Sequence, residues 1–213
     1  MNIYLIAGLG ADERIFKRLD LSPHNIHYIH WVAPQKGDDM KTYAERLAPQ
    51  IDRSTDFALL GVSFGGMIAT ELHEQMDAKK LIIVSSVKNY NELPFIYRCI
   101  GKLNLHKLIP FPLLKKSSLN YFIFGCTTAD SKKLLKNILN DTDNTFLRWA
   151  IDTIVRWKRV SNTKETVHIH GDKDYILKAK NIDKSMLIKG GGHFVIFNKA
   201  AQVSAQILKA LEQ

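Results

Sequence analysis

The sequence predicts an α/β protein: a doubly wound, predominantly parallel sheet with helices on both faces. Three observations carry that reading. Short apolar runs alternate with segments of helical period along most of the chain, which is the signature of βαβ crossovers. The runs are apolar throughout, as strands buried on both faces must be. Several of the runs end in glycine-containing loops that hold a serine, an acid or a histidine, and functional loops of such sheets lie at the strands' carboxyl ends.

The elements follow in order. The run "IYLIAG" (Ile3 to Gly8) reads as a buried strand and "IHYIHW" as a second. "TYAERLAPQI" has helical period, flawed by Pro49 near its end. "DFALLGV" is a strand and "GGMIATELHEQM" the helix after it. "KKLIIVSS" (Lys79 to Ser86) is the next strand. The alternation then fails from Lys88 to Asn140. It resumes with "TFLRWAIDTIVRW" as a helix, "TVHIHG" and "SMLIKG" as strands, and "KAAQVSAQILKALEQ" as a closing helix. The expected organisation is therefore a core made of residues 1–87 and 141–213, with 88–140 inserted between two βα units. The insertion carries its own prolines (Pro94, Pro110, Pro112). Its aromatics are Phe95, Tyr97, Phe111, Tyr121, Phe122 and Phe124.

With 213 residues, 46% of them hydrophobic, the chain can build one full core. No apolar run is long enough to span a bilayer. The first residues lack a basic segment and a cleavage site, so they read as strand and not as a targeting signal. Cys99 and Cys126 have neither metal-type spacing nor the number for a disulfide framework. A cytoplasmic protein is the expectation. The net charge is +9. The insertion holds nine Lys or Arg against two acids, Glu92 and Asp130, so most of the excess is localised there. Nucleic-acid binding would rest on charge alone, because no basic-aromatic RNA motif or recognition-helix pattern accompanies it.

"GVSFGG" places Ser63 at a sharp strand-to-helix turn, between Gly61 and Gly65. Serine could sit there as a helix cap. It could also be held out as a nucleophile, which requires an imidazole to take its proton and a carboxylate to orient that imidazole. "HGDKD" and "KGGGHF" supply an acid and a histidine, each just after a strand. In that loop Asp174 is the preferred acid and Asp172 its rival, a residue that a turn could use structurally. An acid after the "KKLIIVSS" strand is a poor option, since none occurs before Glu92. The glycine run Gly190 to Gly192 is a weak phosphate-cradle candidate, since no helix follows at once. His168 and His170 share a strand face and could pair on a metal, but a structural role is expected. His24, His27 and His30 read as surface residues of an edge strand.

On "AGLGAD", "GVSFGG", "HGDKD" and "GGGHF" the chain resembles the α/β-hydrolase superfamily along essentially its whole length. The resemblance implies Ser63 as nucleophile, His193 as general base and Asp174 as the acid. It implies the amides of Leu9 and Phe64 as the oxyanion hole, with neither metal nor cofactor. It implies a six-stranded, all-parallel sheet with the N-terminal strand internal, because counterparts of the family's first two strands are missing. The insertion would be a helical cap, or lid, over the site. Departures from the family pattern are Ala7-Gly8 where His-Gly is frequent, and "DYILKAK" without the proline often found after the acid. The implied activity is that of a carboxylesterase or thioesterase, EC 3.1, acting on a small-to-medium acyl substrate. A basic, aromatic cap adds an anionic carrier to the substrate expectations. The rival function is a small-molecule receptor on the same fold, with a slow or vestigial triad. No stable membrane insertion is expected, and the sequence leaves the oligomeric state open.

Overall fold

The computed structural model describes residues 1–108, 115, 117–160 and 166–212. Pro110, Phe111, Pro112 and Lys116 of the insertion lie outside the described residues. Strands β1 (Asn2–Ile6), β2 (Asn25–Ile29), β3 (Phe57–Val62), β4 (Lys80–Val84), β5 (Thr166–Gly171) and β6 (Met186–Ile188) form one sheet. Its order is β2-β1-β3-β4-β5-β6, and every pair is parallel. The N-terminal strand is internal, as expected. The winding reverses between β1 and β3, so the loops after these two strands diverge and leave a crevice at their carboxyl ends.

Alternation along the strands divides the core into two layers. One joins Tyr4, Ile6, Leu59, Leu81 and Ile83 to helices α1 (Met40–Leu47) and α2 (Phe64–Met76). The other joins Ile3, Leu5, Leu60, Ile82 and Ile169 to the C-terminal helices. Each fully buried Leu or Ile contributes roughly 1.5–3 kcal/mol relative to exposure. Such side chains leave little freedom in register, because a one-residue slip would exchange the layers.

Helix α1 begins earlier than the apolar period suggests. Asp39 caps it: the Asp39 carboxylate accepts from the Thr42 amide at 2.9 Å, while Thr42 Oγ1 accepts from the Asp39 amide at 2.9 Å. It stops at Leu47, and Pro49 sits in a following 3-10 turn, Ala48–Gln50, where its missing N–H costs nothing.

The insertion contains α3 (Phe95–Lys102) and α4 (Leu119–Ile123) and most of α5 (Ala129–Asp141). Helix α6 (Asn144–Arg156) packs against α3 and leads back to β5. Helices α7 (Val195–Asn198) and α8 (Ala200–Leu211) close the chain. Among the described residues no helix is long and apolar enough to cross a membrane.

Candidate active site

Strand β3 runs straight into α2 through Ser63, whose backbone has φ 53° and ψ −120°. A non-glycine residue in this region costs about 1–3 kcal/mol and persists only when its surroundings fix it. Here they do. The Ser63 amide donates to Val84 O at 2.9 Å, and Ser63 O accepts from Ser86 Oγ at 2.6 Å and from the Gly66 amide at 2.9 Å. The flanking glycines explain why the turn can be so tight. A Cβ on Gly61 would meet Gly65 O at 2.3 Å, and one on Gly65 would meet Ala7 O at 2.1 Å. The capping alternative is overturned, because the Ser63 side chain makes no cap hydrogen bond to α2.

The hydroxyl instead faces a histidine. His193 Nε2 lies 2.9 Å from Ser63 Oγ, and His193 Nδ1 lies 2.8 Å from Asp174 Oδ2. An ionised carboxylate can only accept, so Nδ1 carries the proton and Nε2 is free to accept from the serine hydroxyl. Asp174 Oδ1 accepts from the Ile176 and Leu177 amides at 2.8 and 2.9 Å. Burial alone would raise the pKa of Asp174. The adjacent His193 and hydrogen bonds from His170, His193 and the Leu177 amide outweigh it and hold the carboxyl well below its usual range.

Asp172 lies outside this contact. It is exposed, and its Oδ1 accepts from the Gly190 amide at 2.7 Å, which ties the β5 loop to the glycine run. Glu92 is engaged with the Lys88 and Asp183 amides instead. The glycines make close packing possible: a Cβ on Gly171 would meet Gly191 O at 2.3 Å, and one on Gly192 would meet the Gly125 Cα at 2.8 Å.

Gly8, just before Leu9, packs beside Ser63; a Cβ there would lie 3.6 Å from Ser63 Cβ. Phe64 opens α2, where a helix leaves its amides without intrahelical partners and carries partial positive charge. Gly8 and Phe64 therefore flank Ser63, with Leu9 following Gly8 in the loop after β1.

Sequence reading missed several participants. Phe124 meets His193 edge-on, with ring centroids 5.5 Å apart. Tyr97 donates to Ile176 O at 3.2 Å, within the loop that carries Asp174. His170 approaches Asp174 from behind, 3.3 Å from Oδ2. The contacts of Phe124 and Tyr97 join segments far apart in sequence, so no local pattern announces them, whereas His170 and Asp174 are four residues apart and meet through the turn that follows β5. His168 and His170 face each other, Nε2 to Nδ1 at 3.2 Å. Among the described residues no group of three or more metal-ligating side chains comes together.

This chain has the α/β-hydrolase fold. Solved structures similar to it span nearly its whole length. MenH from S. aureus matches with a TM-score of 0.74 at 14% identity, covering 100% of this chain and 93% of that one. A thermophilic esterase from Thermogutta terrifontis matches at 0.70 with 15% identity, covering 100% and 89%. ClbQ from the colibactin NRPS/PKS pathway matches at 0.69 with 16% identity, covering 99% and 96%. Neither a protein-family model nor any curated protein matches the chain by sequence.

Proposed function

We propose that the chain is a serine hydrolase that cleaves an ester or thioester of a small-to-medium acyl substrate through an acyl-enzyme. The observation that carries this reading is the continuous contact from Ser63 Oγ through His193 to Asp174, at 2.9 and 2.8 Å, on a strained turn. Ser63 attacks the carbonyl as His193 takes its proton. The amides of Leu9 and Phe64 hold the developing oxyanion. His193 then delivers the proton to the leaving group, and water, activated by the same imidazole, clears the acyl group. Asp174 stabilises the imidazolium at each step.

Residues 88–140 form the cap in this reading. The half-buried Leu9, Trp31 and Tyr97 near the strand ends suit an apolar acyl group. An anionic leaving group or carrier is supported by the excess of Lys and Arg over acids in residues 88–140, of which Arg98 and Lys102 line a groove of about 640 Å³ together with Arg156 and Lys158. Among the similar structures, one is itself an esterase by name, which fits the proposed chemistry.

The test is a panel of p-nitrophenyl esters of graded chain length beside acyl-thioesters. Multiple turnovers on at least one series support the hydrolase. A single burst of product without turnover across the panel would revive the receptor reading.

A further inference from the structure

Buried behind the triad are side chains that the mechanism leaves unused: His168, His170 and Lys88. β5 alternation sets both imidazoles on one face, and their rings meet edge-on with centroids 5.2 Å apart. His170 Nε2 lies 2.7 Å from Leu177 O and 3.3 Å from Asp174 Oδ2. A carbonyl and an ionised carboxylate can only accept, so Nε2 must carry a proton. His170 Nδ1 abuts His168 Nε2 at 3.2 Å, which pins the ring against a flip. Whichever histidine holds the proton of that second contact, His170 Nε2 keeps its own.

We infer that His170 is a positioning residue for the triad, resting on the serine-hydrolase reading above. Its Nε2–H ties together the two ends of the Asp174–Leu177 loop. Asp174 Oδ1 is held by the Ile176 and Leu177 amides, and the Leu177 carbonyl is held by His170. The carboxylate is thereby fixed with Oδ2 toward His193. The same N–H also draws on Oδ2 and tempers its basicity toward the imidazolium. His168 is the backing that keeps His170 in this orientation. Burial foremost, and then the neighbouring His170 and Lys88, push the pKa of His168 down to about 3.

The charged and titratable neighbours are few. Asp174 is faced by His193, by His170 and by Tyr97 from α3, whose hydroxyl pKa is raised by burial and by Asp174 itself. His168 is faced by His170 and Lys88, and Lys88 Nζ is engaged by Asp183 O at 2.7 Å and Glu92 at 3.3 Å.

The experiment measures phosphonylation of Ser63 by a tagged ethyl fluorophosphonate across pH, which needs no known substrate. The Ser63 Oγ–P bond forms, the P–F bond breaks, fluoride leaves, and the hydroxyl proton passes to His193. His170→Leu removes the donor at similar size. Labelling should slow by about ten- to a hundred-fold, as expected for a misplaced triad, and the pH midpoint of labelling should rise because Oδ2 becomes more basic. In His170→Gln the terminal amide reaches the Nε2 position, and labelling should return to within about threefold of wild type with the midpoint restored. Thermal melts report folding. If His170→Leu labels at the wild-type rate and midpoint, the positioning role is wrong while the triad stands. If Gln recovers no more than Leu and both melt like wild type, it is also wrong. Should the Leu variant not fold, His170→Gln decides alone: a folded Gln variant more than about tenfold slow overturns the role. If the wild-type chain is not labelled, the serine-hydrolase reading falls and takes this inference with it.

Discussion

Phe124 lies edge-on to the imidazole of His193, at an interplanar angle of 77°, and its carbonyl accepts from the Phe194 amide at 2.9 Å. One residue further on, Gly125 O accepts from Asn198 Nδ2 at 2.8 Å. The insertion is thus fastened to the loop that carries His193. Phe124→Ala removes the ring and leaves the backbone ties. It should lower kcat by about tenfold with a smaller change in KM, since the imidazole loses a wall that limits its rotation. Steady-state kinetics on the best ester of the panel would check this, and an unchanged kcat would mean that the ring merely fills space.

Asp174→Asn should be far more damaging than Asp172→Asn. Asparagine keeps the shape but no longer stabilises the imidazolium, and the loss approaches about ten-thousand-fold in kcat. Asp172 only holds the Gly190 amide, so its variant should stay within about threefold. The same pair separates in stability. The depressed pKa of Asp174 gives a stabilisation that is fully present above the unfolded carboxyl value of about 3.9. It is lost as pH falls below that value toward the folded pKa. Urea titrations between pH 7 and pH 3 should show this loss for wild type and for Asp172→Asn, and a weaker pH dependence for Asp174→Asn. Equal small effects of the two variants on kcat would place the acid elsewhere.

Much of this was legible in the sequence, for identifiable reasons. Ile3, Leu59, Leu60 and Ile82 belong to runs so uniformly apolar that only buried strands suit them. Gly61, Ser63 and Gly65 mark a turn that few other residues could make. The insertion was less legible, because its aromatics follow no period and their roles diverge. Phe95 and Phe122 are exposed, whereas Phe124 reaches His193 and Tyr97 reaches Ile176. Lys115 is one of the basic residues of the insertion, and its ammonium donates to the Thr142 carbonyl, a contact that no local pattern announces. The role of His170 was hidden because Leu177, whose carbonyl it holds, is recognisable only once the loop has folded.

Gly65→Ala tests the elbow itself. The added methyl would collide with the Ala7 and Ile6 carbonyl oxygens, at 2.1 and 2.3 Å, which are backbone and cannot swing aside. A loss of about 1–3 kcal/mol is expected in chemical denaturation, in line with overpacking elsewhere. Activity should fall further than stability, because the shift displaces Ser63. A variant with wild-type melting and rate would contradict the tight strand-to-helix approach.

The basic groove tests the anionic carrier. Arg156 is engaged by Asp152 and Asn104, and Arg98 lies over the rings of Tyr90 and Phe95, whereas Lys102 and Lys158 are exposed. Lys102→Glu with Lys158→Glu should erase part of any kcat/KM preference for anionic thioesters over neutral esters of the same acyl group. Neutral-ester turnover should stay nearly unchanged. The preference should also shrink as salt rises, since attraction between exposed charges fades over about 8 Å at physiological ionic strength. A flat salt profile on both substrate types would retire the anionic carrier and leave the triad untouched.

The central claim is that Ser63 is the nucleophile. Its most direct measurement is the hydrolysis rate of Ser63→Ala beside wild type across the ester and thioester panel, with thermal melts run in parallel. Wild type should turn over at least one series. Ser63→Ala should melt normally and lose essentially all of that activity, on the order of a million-fold. A wild-type chain inert on the whole panel, or a folded Ser63→Ala retaining more than about a tenth of the rate where losses of that order are expected, would contradict it.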